Sequence, residues 1–201
     1  MNARKRSSRA SQDSKPVREE PVRILVFLQG TILMHSGAAG RSREERVAQS
    51  RAGLEPSLRD HATYVPIGSA VAKLKSWQRQ GARICYLTSS RNAKEIEQDT
   101  AVLKHHGFPK GPVLARHQGE QYGDVAGRVL PDVLVEDDCE SIGLDEITYP
   151  QIRADLRARI RSVVVPEFDG IDHLPGSLDE LLASRRPRAG KKDRALRGGT
   201  R

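Results

Sequence analysis

Four short apolar runs constrain this chain more than any other feature. They are 23–28 (RILVFL), 83–87 (RICYL), 132–135 (DVLV) and 162–165 (SVVV). Each is near-continuous rather than alternating, the pattern of a strand covered on both faces in a parallel sheet. A weaker fifth run, 111–114, follows a Pro-Lys-Gly-Pro turn. Helical patterns lie between them. In 69–80, Val71, Leu74 and Trp77 recur at i, i+3 and i+6, and Gly81 stops the segment. The segment 92–106 carries Ile96, Ala101 and Leu103 and ends at Gly107 before Pro109; a shorter helix over 119–129 precedes Pro131. A fourth, 177–182, opens with a Ser-x-x-Glu capping box, Ser177 to Glu180. Strands alternating with helices imply right-handed crossovers, so the expected class is α/β: a three-layer Rossmannoid parallel sheet with helices on both faces.

Charge divides the chain. The formal +8 suggests nucleic-acid binding until it is partitioned. Residues 1–20 hold six Lys/Arg against three Asp/Glu, residues 185–201 hold eight against one, and the body between is left at −2. Both ends are poor in large apolar residues and cannot offset the entropy of ordering, so 1–20 and 185–201 are expected to be disordered basic tails around a domain at 21–184. Such tails touch nucleic acid or acidic surfaces weakly and with steep salt dependence, or serve only as solubilising extensions. Within the domain, 36–66 lacks periodicity and is expected to be a small cap or insertion over the first strand. Cys85 and Cys139 have neither zinc-site nor disulfide spacing. With no apolar h-region near the start and no membrane-length apolar run, the expectation is a cytoplasmic protein with no membrane contact.

Ligands of such sheets bind beyond the carboxyl ends of the strands. The residues there are Gln29-Gly30-Thr31, Thr88-Ser89-Ser90, Glu136-Asp137-Asp138 and the loop 166–169. Three of these ends, in order, resemble motifs of the haloacid dehalogenase (HAD) superfamily. "VFLQGTIL" is similar to the first motif, hhhhDxDGTL. "GARICYLTSS" resembles the second, a strand ending in Thr or Ser after a helix and Gly. "PDVLVEDDCESIG" resembles the fourth, a strand ending in paired acids. The likeness runs from about Val22 to Leu182 and implies a HAD-like Rossmannoid fold.

In that family the first motif-one Asp attacks phosphorus and the second exchanges protons. Here those positions are Phe27 and Gln29, and no Asp or Glu occurs from Pro21 through Arg43. Phenylalanine has no lone pair to attack with, and an amide does not exchange a proton near neutral pH. The aspartyl-phosphate mechanism is therefore absent. The resemblance still implies a phosphate cradle: Gln29, Gly30, Thr31 and the Thr88 hydroxyl, with Arg116 (or Lys110) as the balancing cation. It also implies magnesium at Asp137 and Asp138, weakened because Phe27 removes one hard oxygen ligand.

Three function classes follow. The first is a degenerate HAD-like protein that binds a phosphorylated small molecule or acts in regulation or interaction. The second is a divergent phosphohydrolase using Asp137 or Asp138 and a metal-activated water. The third is a nucleic-acid-associated protein that works through its basic tails. Plain readings stand beside these: a simple turn at Gly30-Thr31, an N-cap cluster at 88–90 and a solvated acidic loop at 136–140. His35, His61, His117 and His173 have no partner spacing, and Cys139 beside acids is expected to hold its thiol proton.

Deleting residues 1–20 and 185–201 should shift the unfolding midpoint by less than about 5 °C and abolish any nucleic-acid binding. A larger fall, or binding that survives the deletion, would place those functions on the body.

Overall fold

The computed structural model describes residues 20–183. The expectations for the two basic tails lie outside the described residues, apart from Glu20. In chain order the strands are β1 (Arg23–Phe27), β2 (Leu33–Met34), β3 (Val65–Pro66), β4 (Arg83–Leu87), β5 (Val113–Leu114), β6 (Val133–Asp137) and β7 (Arg161–Val165). The helices are α1 (Arg43–Ala52), α2 (Ala70–Arg79), α3 (Ala93–His105), α4 (Tyr122–Val129), α5 (Thr148–Gln151), α6 (Ala154–Arg157) and α7 (Leu178–Ala183). Five strands form one parallel sheet in the order β5-β4-β1-β6-β7. β2 and β3 make a separate antiparallel ribbon.

Period-two alternation within β1 sends side chains to both layers. Ile24 and Val26 pack with Ala70, Leu74 and Trp77 of α2, Val102 and Leu103 of α3, and Leu181 of α7. Leu25 faces the other way, onto Tyr122, Val125 and Ala126 of α4 and onto Ile152 and Ile160. Both faces are thus covered, as a near-continuous apolar strand demands. Each fully buried Leu or Ile contributes about 1.5–3 kcal/mol. Trp77 is wholly buried and its indole N–H donates to the Pro175 carbonyl at 2.9 Å, which ties α2 to the segment leading into α7.

The strands and longer helices follow the sequence pattern, with three informative differences. β6 runs two residues further than its apolar run, through Glu136 and Asp137, because β7 continues alongside it with Glu136 opposite Val164 and Asp137 opposite Val165. On α3 the buried stripe is Asp99, Val102 and Leu103, while Ala101 is exposed. The stretch 36–66 contains α1, which periodicity does not reveal because Val47 is its one buried residue. Its ends define it instead: Ser42 and Glu45 form a reciprocal capping box, and Gly53 closes it at φ 63°. Among the described residues no helix is long and apolar enough to cross a membrane.

β1 lies between β4 and β6, so the loops after these three strands emerge side by side. The chain winds outward in opposite senses from β1, toward β4 and β5 on one flank and β6 and β7 on the other. Crevices at such a reversal are the usual ligand position.

Gly111 is held against β4 so closely that an added Cβ would overlap the Ile84 carbonyl oxygen. Gly111→Ala should cost about 2–3 kcal/mol, read as a fall of several degrees in unfolding midpoint. Gly176→Ala meets nothing within 4 Å and should stay within about 0.5 kcal/mol. Equal midpoints for the two variants would contradict the packing described.

Candidate functional site

Phe27 ends β1 at the position where the resemblance places a nucleophile. Its ring meets Tyr122, the first residue of α4, edge-on, with centroids 5.0 Å apart at 75°. The Arg116 guanidinium lies 3.6 Å from the centroid of that tyrosine ring, a cation–π distance. Arg116 Nε is buried and has no hydrogen-bond partner. The expected balancing cation is therefore beside the expected nucleophile position, but what joins them is an aromatic stack.

Two residues on, Gln29 turns into a buried polar network. Its carbonyl oxygen accepts from the Ser89 backbone N–H at 3.0 Å. Its amide nitrogen donates to Thr88 Oγ1 at 3.1 Å and to the Asp99 carboxylate at 3.1 and 3.2 Å. Thr88 Oγ1 in turn donates to Asp99 Oδ2 at 2.5 Å and accepts from Ser90 N at 3.0 Å. The Ser90 hydroxyl donates to the same carboxylate at 3.0 Å. From the insertion comes His61, whose Nδ1 is 2.9 Å from Asp99 Oδ1. Because a carboxylate only accepts, Nδ1 is the protonated nitrogen in this arrangement. Asp99 has no solvent exposure. One carboxylate on α3 therefore gathers donors from the β1 loop, the β4 loop and the insertion.

His61 is buried, and its ring stacks on Tyr64 with centroids 4.8 Å apart. Burial alone lowers its pKa, but the hydrogen bond and charge of Asp99, with Glu95 and Asp60 nearby, outweigh that and raise it. His35 behaves oppositely. It is 1% exposed with Nδ1 beside Ser57 Oγ at 3.0 Å, and burial lowers its pKa.

The other half of the site is acidic. Gly30 has φ 82°, and an added Cβ would lie 2.9 Å from both Asp137 carboxylate oxygens, so only glycine leaves room for that side chain. Thr31 Oγ1 donates to Asp137 Oδ1 at 2.6 Å, and the Cys139 N–H donates to Oδ2 at 3.2 Å. Burial pushes the Asp137 pKa up to about 6. Glu136, deeper still, accepts from Thr148 N and Tyr149 N at the start of α5, and burial pushes it up to about 7. Asp138 Oδ1 accepts from Glu167 N, and Glu167 accepts from Ser141 N and Oγ. Burial and these neighbouring acids drive the Cys139 thiol pKa far up, as the sequence suggests.

The positive charge at this acidic loop comes from the chain itself. Arg43 of α1 pairs with Glu140 at 2.6 Å, and its pKa is raised by that bond and by Glu140, Asp138 and Asp169 nearby. Arg51 donates to the Glu140 carbonyl, and Arg46 to the Phe168 carbonyl. Of the magnesium set implied by the resemblance, Phe27 offers no oxygen, and among the described residues no group of three His, Cys, Asp or Glu could hold a metal.

By their side-chain partners the sequence-predicted residues fall into three groups. Gln29 and Thr88 join Asp99; Gly30 and Thr31 join Asp137, with Asp138 next to it; Arg116 joins Tyr122. Lys110, the second choice for the cation, lies in the loop before β5 instead. Sequence reading passed over His61, Ser90 and Asp99 as partners. The available signal was Asp99 itself, a carboxylate three and four residues before Val102 and Leu103 on the buried stripe of α3.

No family model matches the chain. Among curated proteins it is similar to the DNA mismatch repair protein MutL of Aliivibrio fischeri, at 32% identity over 92 residues. That match takes in 45% of this chain and 14% of MutL, so the chain spans far less than two thirds of that relative. Among solved structures, a chain of the Pnkp1/Rnl/Hen1 complex is similar at TM-score 0.45 and 14% identity, over 77% of this chain and 50% of that one. Phosphoserine phosphatase in its apo form is similar at TM-score 0.40 and 10% identity, over 75% of this chain and 96% of its own.

Asp99→Ala leaves four sets of buried donors without their acceptor and should cost about 3–5 kcal/mol. The pH dependence carries a sign. A raised His61 pKa means the His61–Asp99 pair contributes fully below about pH 6.5 and is lost as pH rises through the folded value. The lowered pKa of His35 does the reverse, removing stability as pH falls below about 6.5. Stability measured by urea unfolding should therefore lose its alkaline-side decline in His61→Phe and keep its acid-side decline. An unchanged alkaline slope in that variant would refute the pair.

Proposed function

We propose that this protein is a degenerate HAD-like domain that performs no aspartyl-phosphate chemistry and acts in regulation or interaction. One observation carries the reading: at the end of β1 the ring of Phe27 packs on Tyr122 where a nucleophilic carboxylate would stand. The motif order in the sequence and the parallel sheet with its loops at the carboxyl ends support the HAD-like part. The non-catalytic part is supported by chemistry, since neither Phe27 nor Gln29 can form or hydrolyse an acyl phosphate.

A metal-activated water at Asp137 gains no support from the geometry, because among the described residues no group of three His, Cys, Asp or Glu could hold a metal. A phosphorylated small molecule, if it is the ligand, would be met at the mouth by Arg116, whose Nε lacks a partner. Thr88 and Ser89 are less suited, since their donors already serve Asp99 and Gln29. Weak nucleic-acid contact through the basic tails belongs to the same proposal and rests on charge alone.

Purified protein with magnesium should hydrolyse p-nitrophenyl phosphate no faster than its Phe27→Ala variant. It should also take up no stoichiometric beryllium fluoride, the mimic of an aspartyl-phosphate. Turnover above that control and lost in Asp137→Ala would overturn the proposal in favour of a metal-water phosphohydrolase.

A further inference from the structure

Beyond the last turn of α3 the chain passes through Gly107, Phe108, Pro109 and Pro112 into β5, the edge strand of the sheet. Between this loop and α3 lies a cavity of about 410 Å³, within the range of small-molecule sites, about 300–1,000 Å³. It shares no lining residue with the Gln29 loop or with Thr88–Ser90.

Tyr86, Leu103 and Phe108 form its buried apolar floor. The Tyr86 and Phe108 rings meet edge-on at 87° with centroids 6.4 Å apart. Both hydroxyls of the lining already have acceptors: Tyr86 Oη donates to the Pro109 carbonyl at 2.7 Å and Thr100 Oγ1 to the Ile96 carbonyl at 2.8 Å. A ligand body therefore meets hydrocarbon. The walls are also preformed. Phe108 N donates to the Leu103 carbonyl, Tyr86 N donates to the Pro112 carbonyl, and two prolines fix φ along the loop. Little ordering cost remains for binding to meet.

The rim has the opposite character. Lys104 of α3 and Lys110 of the loop line the cavity, and Lys75 of α2 brings its Nζ to 3.5 Å from where a Cβ on Gly107 would be. Among the described residues none of these three ammonium groups pairs with a carboxylate. Three exposed lysines thus give the rim of an apolar hole a positive charge that an anion complements.

We propose that this pocket binds a small amphipathic monoanion. Its aromatic or branched hydrocarbon body rests on Tyr86, Leu103 and Phe108, and its carboxylate faces Lys104 and Lys110. A ligand rich in hydroxyls or amides is a poor match, because the side-chain hydroxyls that would answer it are engaged.

The test uses the full chain with 4-phenylbutyrate as probe and 4-phenylbutanol as its uncharged counterpart. Amide NMR should show saturable shifts at Gly107 and Gly111 with the carboxylate, and binding of the alcohol weaker by about fivefold, the scale of two exposed ion pairs. Combining Lys104→Glu with Lys110→Glu should weaken carboxylate binding by about tenfold and leave the alcohol unaffected. Thr100→Trp, a change at an exposed position of the rim, should block both probes while the unfolding midpoint stays near that of the parent. Absence of saturable shifts, equal affinity for the two probes, or undiminished binding in Thr100→Trp would each overturn the proposal.

Discussion

The Asp99 carboxylate is the point on which the site end of this domain depends. A fully buried charge is costly unless every lone pair is answered. Here four side chains from three segments answer it: Gln29 after β1, Thr88 and Ser90 after β4, and His61 in the insertion. The same bonds that make the charge tolerable fix the loops relative to one another. They also engage the Gln29 amide and the Thr88 hydroxyl, two of the donors expected of a phosphate cradle. In effect the chain supplies its own anion. Gln29 can link Ser89 to Asp99 only because it presents both an acceptor and a donor. An aspartate at that position would set one carboxylate against another.

A parallel substitution occurs on the acidic side. The loop after β6 brings Asp137, Asp138 and Glu140 near Glu167, which calls for a positive charge nearby. Arg43 supplies it from α1, with Arg51 and Arg46 binding carbonyls on either side. The insertion is held to the core by these arginines and His61 and by a few apolar residues, with Ala38 and Val47 packed near Met34, Ile67 and Phe168, and Tyr64 in the main core.

How much of this the sequence revealed follows from which forces act where. β1 and β4 were legible because strands covered on both faces must be apolar along their length. The end of β6 was not, because pairing with β7 carries it through two acids that no hydrophobic pattern contains. α1 was hidden because its stability comes from caps and ion pairs, which leave no periodic trace. Among the candidate site residues, Phe27 and Gln29 revealed by residue type alone that the motif-one carboxylates are missing. Asp99 did not announce its role, since the strand ends were the places to look and it arrives from a helix. His61, with no partner spacing in sequence, gains one only when the insertion folds back onto α3.

The central claim is that the donors after β1 and β4 are already satisfied from within, and titration with inorganic phosphate followed by NMR addresses it directly. The backbone amides of Ser89 and Ser90 and the side-chain amide of Gln29 should show no saturable shift up to millimolar phosphate at neutral pH. Saturable movement of all three signals, weakened by Thr88→Val, would mean that phosphate displaces the internal carboxylate and would contradict this account.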